Sequence, residues 1–145
     1  MKFAVELRES DSQLRGVMLQ EGRAASAGRR EVFAPASVEW PENGVAILTE
    51  HRGEEQARAS VVRDREGRLH VSAPANHAIR DAYTAGKKWL SVEFVAVRDR
   101  VTKGGVREVL RAIVDAAAMT ANPEYDTTEV EVRDSLERER YLRWL

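Results

Sequence analysis

Apolar and polar residues alternate along much of the chain with a period of two, which is the spacing of a strand with one buried face. "KFAVEL" places Phe3, Val5 and Leu7 on one side, and "LRGVMLQ" is a second apolar run of strand length. "EGRAASAGRRE", rich in glycine, small residues and arginine, predicts a mobile loop. "EVFAPASVEWPENG" holds two prolines and an Asn-Gly pair, so turns and irregular structure are expected around the anchors Phe33 and Trp40. "VAILTEH" predicts a strand ending at His51, and "ASVVRD" and "RLHVSA" flank a turn, "REG", as a hairpin.

The period then changes. "NHAIRDAYTAG" spaces Ile79, Ala82 and Tyr83 as a helix does, with Asn76 placed to cap its start and Gly86 to end it. "WLSVEFVAVRD" returns to a strand and "RVTKGGVRE" to a hairpin connection. "VREVLRAIVDAAAMTA" fits a helix by its alanines, or two short strands by its β-branched start. "NPEYDT" is a turn, "TEVEVR" a strand, and "DSLERERYLRWL" a charged terminal helix or tail. The pattern predicts an α+β, mainly β domain over residues 1–133, followed by the tail 134–145.

Composition narrows the function classes. The 145 residues suit one domain, and 43% apolar against 32% charged suits a globular one. With 23 basic and 24 acidic residues, the net charge of -1 supplies no general field for nucleic acid or a membrane surface. The absence of cysteine excludes disulfides, thiolate metal sites and cysteine nucleophiles. The start is too short and too charged for a signal peptide, and no run approaches membrane-span length, so a cytoplasmic location is expected. None of His51, His70 and His77 has a metal-ligand spacing with another, so no metal or cofactor is expected.

The candidate chemistry lies in "KKWLSVEFVAV". Ser91 and Glu93 stand two apart in an apolar strand and share a face with Trp89, Val95 and Val97, which should cover it. A buried hydroxyl beside a carboxylate needs partners, and a histidine is the partner that makes a serine nucleophilic.

The order "EVFAPASVEWPENGVAILTEHRG", hairpin, helix ending "AGKKWLSVEF", then "VREVLRAIVDAAAMTANPEYDTTEVEVR" resembles the prohead (capsid-maturation) protease family of tailed phages, over residues 16–133. "AILTEH" matches that family's strand leading to a histidine, "LSVEF" its serine motif, and "MTANPEYDTTEVEVR" its proline-aromatic turn and final strand. The resemblance implies a serine endopeptidase with a herpesvirus-assemblin-like fold, an antiparallel β-barrel with surrounding helices. It implies Ser91 as nucleophile and His51 as general base. It further implies action in the host bacterial cytoplasm, inside the procapsid, on the major capsid protein's scaffolding segment, and on the protease itself. The herpesvirus relatives dimerise, so a homodimer is also an expectation of the resemblance. The chain departs from the family at the third catalytic position, where a strict count from Pro123 finds an alanine. Asp115 is the ionisable residue nearest to it. Glu93 is the substitute, although a residue two along the same strand should flank the serine more easily than back the imidazole. Arg111 is the arginine nearest this region and a candidate to assist an oxyanion hole. The alternative is an inactive homologue that acts as a capsid scaffolding or assembly protein.

Overall fold

The structure is a computed structural model that describes residues 12–22, 31–122 and 130–134. The strand expected at "KFAVEL", most of the "EGRAASAGRRE" loop, the "NPEYDT" turn and the tail lie outside the described residues.

Among the described residues, nine strands and one helix follow in the order β1 (Ser12–Gln20), β2 (Glu31–Phe33), β3 (Val38–Glu39), β4 (Val45–Leu48), β5 (Ala57–Arg63), β6 (Arg68–Pro74), α1 (His77–Thr84), β7 (Trp89–Val101), β8 (Arg107–Thr120) and β9 (Val130–Asp134). They form one curled sheet, a half-barrel, in the order β2-β8-β4-β5-β6-β1-β9, with β3 and β7 also paired to β8. The domain is mainly β, as expected, but the sheet is mixed. β2, β3 and β4 each run parallel to β8, at Arg107–Val109, Ala112–Ile113 and Ala116–Ala118 in turn. The expected set of surrounding helices is one helix among the described residues.

The ambiguous alanine-rich segment is a single 14-residue strand, β8, and it is the spine of the site. On one side it pairs antiparallel with β7, and along the other the three short strands follow one another. The environment has overridden alanine's helical preference: β8 is flanked by strands on both sides and pairs along both edges.

The main core holds Leu14, Leu19, Phe33, Ile47, Leu69, Ile79, Leu90 and Val114, all fully or almost fully buried. β6 shows the expected alternation, with Leu69, Val71 and Ala73 inward. β4 is buried on both faces, its Val45 and Ile47 entering the main core and its Ala46 and Leu48 a second cluster with Ala116 and Ala118. Phe33 meets Phe94 edge to face at 5.0 Å between ring centres, a pairing worth about 1 kcal/mol beyond its buried area, and so ties β2 to β7. Among the described residues, no helix is long and apolar enough to cross a membrane.

α1 forms as its sequence predicts. Asn76 Oδ1 accepts the Ile79 N–H at 3.0 Å. The C-terminus closes with Lys87 N–H donating to Ala82 O and Gly86 N–H to Tyr83 O, Gly86 taking the positive φ of 100° that this closure needs. That turn delivers Lys87 beside the end of β4, where its ammonium donates to Thr49 O at 2.6 Å.

Candidate active site

The residue that pairs with His51 was not the first expected, and the reason is a turn. β4 ends at Leu48, and the chain then turns tightly over Glu50–Gly53, with the Gly53 N–H donating to Glu50 O at 3.1 Å. Arg52 occupies the third position with φ 60°, a left-handed conformation costing a non-glycine residue about 1 kcal/mol. His51 therefore does not end a strand. It sits on a turn, where its Nδ1 lies 2.9 Å from Glu93 Oε2. The same carboxylate oxygen accepts the Arg52 N–H at 2.8 Å. One carboxylate thus fixes both the ring and the strained turn that carries it.

These two bonds define the ring's orientation. A carboxylate oxygen can only accept, so in the neutral imidazole the nitrogen facing Glu93 carries the proton and Nε2 keeps its lone pair. Burial, the largest single influence on Glu93, pushes its carboxyl up. The Arg52 N–H, the His51 ring and the charges of both residues together outweigh it and hold the carboxyl below its ordinary value.

Ser91 and Glu93 lie on the same face of β7, opposite Ala118 and Ala116 respectively. His51, Arg52, Ser91 and Glu93 line one open cavity of about 650 Å³, together with Val92, Phe94, Glu31 and Arg107. The expected pair is therefore brought together at one surface, although no hydrogen bond joins the His51 ring to the Ser91 hydroxyl. The face is not covered as expected: Val95 and Val97 are 68% and 48% exposed, and Ser91 is only partly buried.

Asp115 does not fill the place beside the imidazole. The β7–β8 register shifts between Glu93 and Phe94, which leaves Asp115 out of the ladder, exposed and outside the cavity lining. Glu93 stands there instead, because the turn brings the His51 ring and the Arg52 N–H to a carboxylate on the serine's own strand. Arg111 is likewise elsewhere, paired on the surface with Glu39 at 3.3 and 3.2 Å. Arg107 lines the cavity instead. Its Nε donates to Asp99 at 2.8 Å and its Nη1 to Glu31 at 2.9 Å, with the guanidinium 5.9 Å from the centre of the Phe94 ring. The Asp99 bond is the strongest influence pushing the Arg107 guanidinium's pKa up.

Sequence reasoning missed Arg52 and Arg107. Only the adjacency "HRG" pointed to the first, since arginine followed by glycine after a strand is a turn signal. The other two histidines also meet carboxylates, His70 with Asp64 at 2.7 Å and His77 with Asp81 at 3.1 Å. The first is local to the β5–β6 hairpin, where Asp64 also accepts the Glu66 and Arg68 N–H groups, and the second is an exposed pair one helical turn apart. Neither shares a cavity with Ser91.

No family model matches this chain, nor does any curated protein or solved structure. The functional reading accordingly rests on the site and on the resemblance carried by its motifs.

Proposed function

We propose that this chain is a serine endopeptidase of the prohead-protease kind, its half-barrel a variant of the assemblin fold. The observation that carries the reading is the His51–Glu93 pair, held over the strand that bears Ser91. Glu93 holds the Nδ1 proton, which aims the Nε2 lone pair for base duty. Nε2 takes the Ser91 hydroxyl proton as Oγ attacks the scissile carbonyl, and returns it to the leaving amine. Imidazolium forms in that step, and the ionised Glu93 stabilises it. Water then repeats the sequence on the acyl-enzyme. The substrates are the scaffolding segment of the major capsid protein and the protease's own chain, inside the procapsid.

A second reading, a capsid-assembly module without chemistry, is favoured by the missing His51–Ser91 hydrogen bond; catalytic bonds that are long in a free enzyme tighten only with substrate. The two readings are separated by co-expressing the chain with its capsid protein and labelling with a fluorophosphonate. Labelling and a truncated capsid protein in wild type, both absent in Ser91→Ala, support the peptidase. Folded wild type that does neither in the assembled particle supports the module.

A further inference from the structure

The cavity holds two guanidinium groups in different states. Arg107 is committed, its fork shared between Asp99 and Glu31. The exposed Arg52 side chain makes no hydrogen bond or ion pair with any described residue, although its charge acts on Glu93 through space. The two acids of the cavity are also occupied, Glu31 by Arg107 and Glu93 by the His51 ring and the Arg52 N–H. A carboxylate entering the cavity would therefore meet two acids already satisfied and two guanidiniums, of which Arg107 already serves two carboxylates and Arg52 serves none among the described residues. The backbone at Arg52 is held at φ 60°, where glycine would sit without strain, yet the chain places there the side chain with five fixed donors. Strain retained next to reacting groups marks a residue whose position is functional.

We propose that Arg52 is a specificity residue that binds an acidic side chain of the polypeptide substrate next to the scissile bond. This rests on the peptidase reading for the identity of the ligand, and on the free guanidinium for its charge. The adjacency is built in: Arg52 follows the base in sequence and lines the same cavity as the nucleophile, so a group it holds is positioned against the reacting carbonyl. Its backbone N–H supports Glu93 in any substitution except proline, which leaves the side chain separable from the catalytic geometry.

The test pairs peptides that differ only in Glu against Gln beside the cleaved bond. Turnover is measured with wild type, Arg52→Ala, Arg52→Lys and Arg52→Glu, and binding with Ser91→Ala and the Ser91→Ala/Arg52→Ala double variant. Wild type should prefer the acidic peptide by about tenfold or more, mostly in KM, as expected for a charge-assisted contact. Arg52→Ala should abolish the preference, Arg52→Lys should keep part of it, and Arg52→Glu should invert it toward a Lys-containing peptide. A preference unchanged in Arg52→Ala overturns the proposal while leaving the peptidase intact. If no peptide is cut, tighter binding of the acidic peptide that vanishes in the double variant upholds acidic-ligand recognition and sinks the peptidase alone. Equal binding of both peptides sinks the Arg52 assignment. Thermal melting of each variant confirms folding, since alanine at φ 60° carries a cost similar to arginine's.

Discussion

Substituting Glu93 by glutamine removes one charge and little else. Both bonds made by the carboxylate, from His51 Nδ1 and from the Arg52 N–H, end on the same oxygen, and an amide oxygen in that position can accept both. The ring should therefore keep its place, and the loss should appear where imidazolium develops. Two unit charges about 4 Å apart attract by about 1 kcal/mol in water and about 4 kcal/mol at the effective dielectric of a protein surface. The His51 side chain is 52% exposed and that of Glu93 27%, so the value lies between, at about 2 kcal/mol. That is about a thirtyfold loss in kcat/KM at near-constant KM. Glu93→Ala, which also frees the ring and the turn, should lose more, bounded by the roughly 10⁴-fold seen when the acid of a chymotrypsin-type triad is neutralised. The assay is steady-state cleavage of a peptide from the capsid protein's scaffolding segment, with Asp115→Asn beside it. Asp115→Asn should match wild type. If instead Asp115→Asn lost activity while Glu93→Gln stayed within twofold of wild type, the orienting role assigned to Glu93 would be refuted.

Two further outcomes concern stability. Glu21, 4% exposed, takes Arg63 in a two-pronged pair at 2.7 and 3.1 Å and accepts the Val38 N–H at 2.9 Å, while Arg63 also donates to Val38 O. Glu21→Ala leaves the buried Val38 N–H and the partly exposed Arg63 guanidinium without their acceptor and should cost about 2 kcal/mol in denaturant unfolding, whereas Glu39→Ala, breaking the exposed pair with Arg111, should cost under about 1 kcal/mol; equal costs would contradict the burial argument. Glu93 and Asp64 are both held below their ordinary carboxylate values, Asp64 chiefly by its His70 bond. A depressed carboxyl adds stability that is present above its unfolded-state value, about 4, and drains away as the pH falls through its lower folded-state value. The unfolding midpoint should therefore fall steeply below about pH 4, and less steeply in Glu93→Gln/Asp64→Asn; identical acid limbs would deny these groups the role.

How much of this was legible depends on whether local or distant partners decide the residue's state. α1 was readable to its caps because Asn76, Gly86 and the spacing of Ile79 and Ala82 act within the segment itself. The β5–β6 hairpin was readable for the same reason. β8 was not, since besides the adjacent β7 its conformation is set by three strands distant in the chain, each parallel to it and so joined by long connections. Motif order points to His51 and Ser91, but position on the serine's own strand argues against Glu93, since a residue two along should flank the serine rather than back the imidazole. The left-handed backbone at Arg52, which no local composition rule demands of an arginine, is what brings the ring over β7. The solvent-open outer face of β7 was invisible too, as Val95 and Val97 look like core residues to any reading of pattern.

The methyl groups under the site carry a consequence of their own. Ala118 stands between Ser91 and Leu48, and Ala116 between Glu93 and Ala46, so Ser91 and Glu93 rest beside methyl groups with no rotamers. Their height and separation are inherited from the hydrogen-bonded spacing of three backbones rather than from adjustable side chains. The tolerance of the machinery is then that of the ladder itself. A one-residue slip of β7 against β8 would leave every reactive residue in the chain and turn Ser91 and Glu93 inward together, silencing the protein without touching its chemistry.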